Sequence, residues 1–338
     1  MDESRIMMAH GGGGSLMNGL IRSLFFNSFD NPVLIRAADA AQLDLPGNRI
    51  AFTTDAFVVD PIFFPGGDIG KLAVCGTLND LAVTGARPLY LSVSFILEEG
   101  LRISELKRVV QSMAKTAKDA GVPIVAGDTK VVPKGKGDKI FISTSGVGAV
   151  DDKSSDTSEG KSVEAGDCIL INGTLGDHGI AVLLQRESFQ LHASIQSDCA
   201  NLYPLIHHLL GVVPETRFMR DATRGGLATV LCELVEKRNF GIELAEDQVP
   251  VNPAVVDACE LLGMDPLYIA NEGKVVIVVP GNEAENALKT LRQHPLGTNA
   301  AIVGRVTGEN PGKVIMKTAL GGKRWIDYLS GDQLPRIC

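Results

Sequence analysis

The feature that most restricts the fold of this chain is an alternation of two hydrophobic periods, repeated on both sides of one polar stretch. Strand-like apolar runs at 49–60 (RIAFTTDAFVVD), 89–97, 123–127 and 139–147 are separated by segments of helical spacing at 69–85 and 104–120. In the second of these, Leu106, Val109, Val110, Met113 and Ala117 form one stripe, Ser104 offers an N-cap, and Gly121 followed by Pro123 stops the helix. Residues 151–165 (DDKSSDTSEGKSVEA) are polar and poor in apolar side chains, which marks a domain boundary. Beyond them, strands at 168–172, 241–245, 274–279, 300–306 and 313–317 alternate with helices at 179–186, 201–210, 226–238, 253–262 and 283–293; Asn252 and Pro253 form a capped start to the fourth helix. The pattern predicts two α/β domains. The expected division is a glycine-rich segment and helix at 1–38, a first domain at 39–150, a linker at 151–165, a second domain at 166–319 and a mobile tail at 320–338. The helix of the first segment is expected over 15–29, with Leu16, Leu20 and Leu24 on one side. The tail has no helical period, and Trp325, the only tryptophan, is expected to anchor it.

A hydrophobic fraction of 45% in 338 residues is enough to pack two ordinary domains and excludes a disordered chain. The net charge of −8, with no basic cluster, argues against generic nucleic-acid binding. No apolar run approaches the length of a membrane span, and no signal-peptide core is present near the start. The six cysteines (75, 168, 199, 232, 259 and 338) show neither C-x-x-C nor zinc spacing. Five lie in apolar or helical stretches and read as reduced buried thiols, as in a cytoplasmic protein. The sixth, Cys338, is the last residue. Sequences usually avoid an exposed free thiol unless its reactivity is wanted, and prenylation needs three residues after the cysteine.

Two glycine-rich stretches mimic nucleotide motifs and fail on inspection. Gly66-Gly67-Asp68-Ile69-Gly70-Lys71-Leu72 lacks one spacer residue of a P-loop and has Leu72 where Ser or Thr is needed. Gly11–Gly14 follows no strand, so it is not a dinucleotide fingerprint. The aspartates carry more information. Asp55 ends a strand (TTD), Asp80 interrupts an apolar helix (TLND), Asp128 follows a strand (GDTK), Asp221 precedes a helix (RDATRGG), and Asp39 sits in ADAA. Carboxylates in such places either cap and close turns or converge on a cleft as hard ligands for nucleotide-bound Mg²⁺. Asp80 fits capping least, because an unpaired charge is costly to bury. Gly225-Gly226 could present backbone N–H groups to phosphate or simply begin a helix. Leu175-Gly176-Asp177-His178-Gly179 reads as a turn into a helix. In Asn271-Glu272-Gly273-Lys274, Glu272 is expected to pair with Lys274 or face solvent, and Lys130 reads as a surface lysine.

Taken together, AHGGGG, TTDAFVVDPIFFPGGDIGKLAVCGTLNDLAV, GDTKVV, GTLGDHG, RDATRGG, ANEGK and the final PRIC resemble the HypE family of hydrogenase maturation proteins over nearly the whole chain. That family belongs with aminoimidazole ribonucleotide synthetase and selenophosphate synthetase, which bind ATP without a P-loop. The resemblance implies a PurM-like architecture: an α+β N-terminal domain that pairs with its twin in a homodimer, a C-terminal α/β domain, and a flexible C-terminal tail. It implies Mg²⁺ at Asp39, Asp55, Asp80 and Asp221. It implies ATP near His10, Gly11, Gly12, Gly13, Gly14, Lys71, Asn79, Asp128, Thr129 and Thr223. The implied chemistry uses Cys338 as carrier thiol. A HypF carbamoyltransferase loads it, and ATP-dependent dehydration converts the thiocarboxamide to a thiocyanate. Glu272 would be the base, and Lys130 would stabilise charge or act as base. The cyano group would pass to a HypC–HypD complex and then to the iron of a nickel–iron hydrogenase. At roughly 3.3–3.6 Å per residue, a tail starting at Leu320 would reach on the order of 60 Å. Two alternatives are a selenophosphate-synthetase-like enzyme on a free substrate, which would want a reactive Cys where this chain has Ser15, and a metallochaperone, which would want His or Cys beside Cys338.

Overall fold

Alternating burial along the apolar runs at 50–57, 87–98 and 140–149 is the signature of strands covered on one face. In the computed structural model, residues 5–11, 15–36, 40–47, 49–151, 157–186, 195–329 and 336–338 are described. The first domain contains β1 (Ile50–Phe57), α1 (Ile69–Val83), β2 (Arg87–Glu98), α2 (Ile103–Ala120), β3 (Ile124–Val132) and β4 (Ile140–Ala149). Its sheet has the order β1-β4-β2-β3, antiparallel except for the β2–β3 pair. β3 is longer than its apolar start predicts, so Asp128, Thr129 and Lys130 lie within the strand rather than after it.

α1 is buried almost all round; only Lys71 and Asp80 are not fully buried. A helix apolar on every side must be covered on every side. α1 meets that demand by lying against β1, β4 and α2 on one side and the second domain on the other. Its crossing with α2 is close: a Cβ on Gly70 would sit 2.4 Å from the Val109 carbonyl oxygen. The α2 stripe of Leu106, Val109, Val110, Met113 and Ala117 is buried as expected, and Gly121 ends the helix at φ 69°. Ser104 does not cap it. The N-cap position is Arg102, without a side-chain bond, and Ser104 lies inside the first turn.

The N-terminal helical stretch is not one regular helix. Ser15–Leu20 and Asn27–Phe29 are α-helical, and Ile21–Phe26 is a π-helix. The wider π turn shifts the periodicity, and Leu16 is exposed while Leu20 and Leu24 are buried.

The second domain contains β5 (Cys168–Ile171), α3 (Asp177–Arg186), α4 (Tyr203–Val212), β6 (Phe218–Asp221), α5 (Gly226–Val235), β7 (Gly241–Ala245), α6 (Pro253–Leu262), β8 (Val275–Val279), α7 (Ala284–Arg292), β9 (Ala301–Thr307), β10 (Val314–Lys317) and β11 (Lys323–Ile326). The sheet order is β11-β10-β7-β9-β5-β8-β6, antiparallel except for β7–β10. α5 packs on one face, and α4 and α7 pack on the other. β8 (VVIVV) is buried at every residue, as a strand covered on both faces must be. Asn252 caps α6 by accepting from the Ala254 N–H. α3 and α6 join the core of the first domain, which locks the two domains together.

The tail begins later than expected. Lys323–Ile326 pairs with β10 as an edge strand, and the Asp327 carbonyl accepts from the Tyr268 hydroxyl (2.8 Å), so the second domain extends at least to Asp327. Trp325 is not the anchor: it is 60% exposed, and the buried side chain is Ile326. The final residues return to the first domain. The Val58 N–H donates to the Cys338 carbonyl (2.9 Å), the Asp60 N–H to the Arg336 carbonyl (3.3 Å), and Arg336 Nε to the Val58 carbonyl (3.2 Å). Arg336 also pairs with Asp138, and Ile337 is buried in the core.

Candidate active site

The docked chain end lies where four segments converge, and Asn271 holds three of them. Its side-chain N–H groups donate to the carbonyls of Ala222 (2.9 Å) and Ile269 (3.0 Å), and its Oδ1 accepts from the Gly176 N–H (2.8 Å). The glycines before α5 permit this approach. Gly225 and Gly226 have φ of 72° and 57°, and a Cβ on Gly226 would sit 2.5 Å from the Leu267 carbonyl. The Gly226 N–H is bonded to the Thr223 carbonyl (3.0 Å), so packing accounts for this glycine rather than phosphate binding.

Glu272 follows Asn271 and is buried, contrary to the expectation that it faces solvent or pairs with Lys274. Lys274 pairs with Asp198 instead, at 2.8 Å, with both side chains buried. Asp198 also accepts from the Glu272 N–H (3.0 Å). The Glu272 Oε1 is the one buried side-chain oxygen or nitrogen without a hydrogen-bond partner among the described residues. Burial pushes the Glu272 carboxyl well above the usual range, and the charges of Asp198, Asp221 and Asp55 push the same way. A buried polar atom left without a partner is costly, and in native proteins it calls for a functional explanation.

Cys338 is held beside this carboxyl. Burial pushes its thiol up to about 12, and Glu272 adds to the effect. Arg224 opposes the shift through its charge and a hydrogen bond to the sulfur. The docked thiol is therefore protonated at neutral pH and a weak nucleophile. Arg224 carries no signal of its own in the sequence, where RDATRGG points to Asp221, Thr223 and the glycines. Asp198 carries none either.

The structure brings Asp55, Asp80 and Asp221 together around this site from β1, α1 and the end of β6. Burial lifts Asp221 to about 7, with Asp80 and Asp55 contributing, and lifts Asp80 to about 6, with Asp55 contributing. Burial also raises Asp55. Thr53 Oγ1 donates to Asp80 at 2.8 Å. Among the described residues no group of three His, Cys, Asp or Glu is placed to hold a metal by itself. Asp39 lies outside the described residues. The donors are all hard carboxylate oxygens that repel one another, which fits a Mg²⁺ taking one or two carboxylates and completing its shell with phosphate and water.

The expected nucleotide residues divide. Gly12, Gly13 and Gly14 lie outside the described residues. Gly11 packs on β3, where a Cβ would sit 2.8 Å from the Val131 nitrogen, and His10 is buried with Nδ1 accepting from the Met7 N–H (3.0 Å). A cavity of about 460 Å³ between the N-terminal helical stretch and β3 is lined by Arg22, Arg36 and Gln42, and one of about 80 Å³ beside it reaches Asp128 and Thr129. Lys71 Nζ donates to the Gly66 carbonyl (2.9 Å), and Asp68 caps α1 at the Gly70 and Lys71 N–H groups, so the P-loop-like stretch does not offer that helix end to phosphate. Asn79 ties α1 to the second domain. Its Oδ1 accepts from the Leu202 N–H and its Nδ2 donates to the carbonyls of Ala200 and Glu272, so the buried amide is a clamp with little left for a nucleotide. Lys130 lies on β3. It is exposed and paired with Asp128 (2.8 Å), and the charges acting on Cys338 are those of Glu272, Arg224 and Asp55.

Two domains enclosing an acidic cluster, with no P-loop, define a class. The AIR synthase related N-terminal domain matches residues 37–150, and the AIR synthase related C-terminal domain matches residues 164–317. The relatives that match along the whole length are narrower. The carbamoyl dehydratase HypE of Cupriavidus necator is 51% identical over 335 residues, covering 99% of this chain and 95% of the relative. A crystal structure of the hydrogenase maturation protein HypE in complex with ATP matches with a TM-score of 0.92 at 48% identity, covering 98% of this chain and 99% of the other. A HypE–HypF complex matches with a TM-score of 0.80 at 46% identity, covering 92% and 99%. The chain belongs to the HypE family, with the PurM-like architecture that its motifs imply.

Proposed function

We propose that this chain is an ATP-dependent carbamoyl dehydratase whose substrate is a carbamoyl group on its own Cys338, and that it supplies the cyanide ligand for the iron of nickel–iron hydrogenase. The observation that carries this reading is the docking of Cys338 beside Glu272, a buried carboxyl with a raised pKa and an unpartnered oxygen. An isolated structural carboxylate would not be kept there without a proton to take.

In the proposed reaction the carboxamide oxygen on Cys338 attacks the γ-phosphorus of ATP, the bond to the bridging oxygen breaks, and ADP leaves. Oxygen becomes a phosphate leaving group in place of hydroxide. Loss of two protons from nitrogen and departure of phosphate leave S–C≡N, so the elements of one water end up in ADP and phosphate. Glu272, with its free oxygen, is suited in its ionised form to accept a proton from nitrogen. Arg224 is placed to balance charge developing on the group at Cys338. Asp55, Asp80 and Asp221 would hold Mg²⁺, which when bound neutralises phosphate charge. The cationic cavity lined by Arg22 and Arg36 supports nucleotide binding beside β3.

The proposed partners follow from the chemistry. A protonated, docked thiol cannot attack a carbamoyl donor, so loading by a HypF carbamoyltransferase occurs with the tail undocked. A HypC–HypD complex receives the cyano group. Ile50 and Phe52 on the edge strand β1 and Ile96 on β2 are 53%, 66% and 43% exposed, an apolar surface that suits a homodimer. The proteins act together in the cytoplasm. Intact-mass analysis of carbamoylated protein with Mg·ATP tests the reaction: the C-terminal peptide should lose one water. Retention of the full carbamoyl mass, or cyanation of a chain lacking Cys338, would refute it.

A further inference from the structure

We propose that His178 is a positioning residue that holds the docked chain end at Ile337, and so helps to fix the location of the carrier sulfur. The inference rests on the carrier role of Cys338 proposed above. His178 is the second residue of α3, fully buried, in the LGDHG segment that reads in sequence as a simple turn.

Its ring nitrogens have defined roles. Nε2 lies 2.8 Å from the Ile337 carbonyl oxygen, which can only accept, so Nε2 carries the proton. Nδ1 lies 2.8 Å from Ser197 Oγ. That oxygen already accepts from the Cys199 N–H (3.1 Å), which leaves its own hydrogen for Nδ1. Burial keeps the imidazole neutral, so both bonds are made by one tautomer. The relay runs in one direction, from Cys199 N–H to Ser197, from Ser197 to His178, and from His178 to the tail. The Phe64 ring meets the imidazole edge-on, with centroids 5.4 Å apart and planes at 88°, and fixes its tilt.

The last residues present their carbonyls to different partners, and Arg336 turns the chain with a φ of 56°. The carbonyls of Arg336 and Cys338 both accept from backbone N–H groups of residues 58–60. The Ile337 carbonyl points the other way, to His178. The chain end is thus held between a backbone edge and the His178 side chain. Arg186 also bridges the two sides, with Nε donating to the Asp60 carbonyl (2.9 Å) and Nη2 to the Arg336 carbonyl (2.8 Å). His178 shares the hold on these residues with the Arg336 side chain, which bonds the Val58 carbonyl and pairs with Asp138, and with the buried Ile337 side chain; its bond is the one made at the residue next to Cys338.

The test compares His178→Phe, which keeps a ring but removes the donor, with His178→Gln, which restores a donor near the Nε2 position. Labelling of the C-terminal peptide by a bulky maleimide reports docking without any dehydration chemistry. His178→Phe should label Cys338 about two- to tenfold faster than wild type, from the loss of one hydrogen bond. Its single-turnover dehydration should fall about 10- to 100-fold, because small misplacement of a reacting atom is costly, with the ATP concentration at half-maximal rate unchanged. His178→Gln should recover most of both. A second measurement needs no variant. In ¹⁵N-histidine spectra of wild-type protein, one ring should show a protonated Nε2 and a bare Nδ1, and its signals should move when residues 336–338 are deleted. Wild-type labelling in His178→Phe, no recovery in His178→Gln, or signals indifferent to the deletion would each overturn the proposal. If wild-type carbamoylated protein loses no water while these docking results hold, the dehydratase reading fails and the tail-positioning role stands.

Discussion

Replacing Glu272 by Gln should separate stability from activity in opposite directions. Burial raises this carboxyl above its ordinary 4.5. The neutral form is therefore favoured in the folded protein, while the unfolded chain ionises normally. The resulting stability is complete below the unfolded pKa and is lost as pH rises through the folded one. Within that window wild type should lose up to about 1.4 kcal/mol per pH unit relative to Glu272→Gln, which has no proton to release. Urea unfolding at about pH 5, 6 and 7 measures the slope. In the same variant, dehydration should fall about 10²- to 10⁴-fold, the usual contribution of a positioned base, while ATP binding by calorimetry is retained. Wild-type dehydration should rise with pH through the folded pKa, because only the ionised carboxylate accepts a proton. A stability difference that is flat with pH would show that Glu272 is not the strained group described here, and near-normal dehydration by Glu272→Gln would remove it as the base.

Lys274→Met leaves Asp198 buried without its counter-charge and should cost about 3–5 kcal/mol in thermal or urea unfolding, with much of the loss recovered by adding Asp198→Asn. Asp221→Asn removes a carboxylate from the acidic cluster and should weaken ATP binding in Mg²⁺ far more than in EDTA, measured by calorimetry in both buffers. Phe52→Asp places a charge on the exposed apolar face of β1 and should yield monomers in light scattering, while circular dichroism stays at wild type. Alkylation of Cys338 by iodoacetamide at about pH 8 should be slower in the whole protein than in a free peptide of residues 327–338, because docking pushes the thiol up to about 12; equal rates would mean that the tail is undocked in solution.

Much of the fold could be read from local pattern. The α2 stripe, the Asn252 cap and the uniformly apolar β8 each obey a period or a cap rule that acts within a few residues. Errors arose where a neighbour distant in sequence intervened. Ser104 was expected to cap because serine does so in isolation, yet the helix starts two residues earlier at its N-cap Arg102. Trp325 was expected to be buried because of its size, yet it lies on the open side of an edge strand whose inner side is filled by Ile326. Asp128 was placed after a strand because the apolar run ends there, yet parallel pairing with β2 carries β3 on to Val132.

The site shows the same division. Asp80 stands out in the sequence because it interrupts an apolar helix, where a charge is expensive to bury, whereas Asp55 and Asp221 stand at element ends where capping would serve as well. Asn79 looked equally available, but its amide is taken by backbone groups more than a hundred residues away. His178 lies in a turn-like sequence, and nothing local marks its partner, Ile337, which is 159 residues distant.

By itself, then, the sequence determined the two-domain alternation, the absence of a P-loop, the acidic positions and the family, since each is carried by periods and motifs that need no partner. Only the tertiary structure decided that Glu272 is buried and unpaired, that Lys274 serves Asp198, that Lys130 faces solvent, and that the last three residues are clamped between Val58 and His178. Burial and long-range hydrogen bonding are properties of the assembled chain. They decide the protonation of a carboxyl and a thiol, and no local pattern contains them.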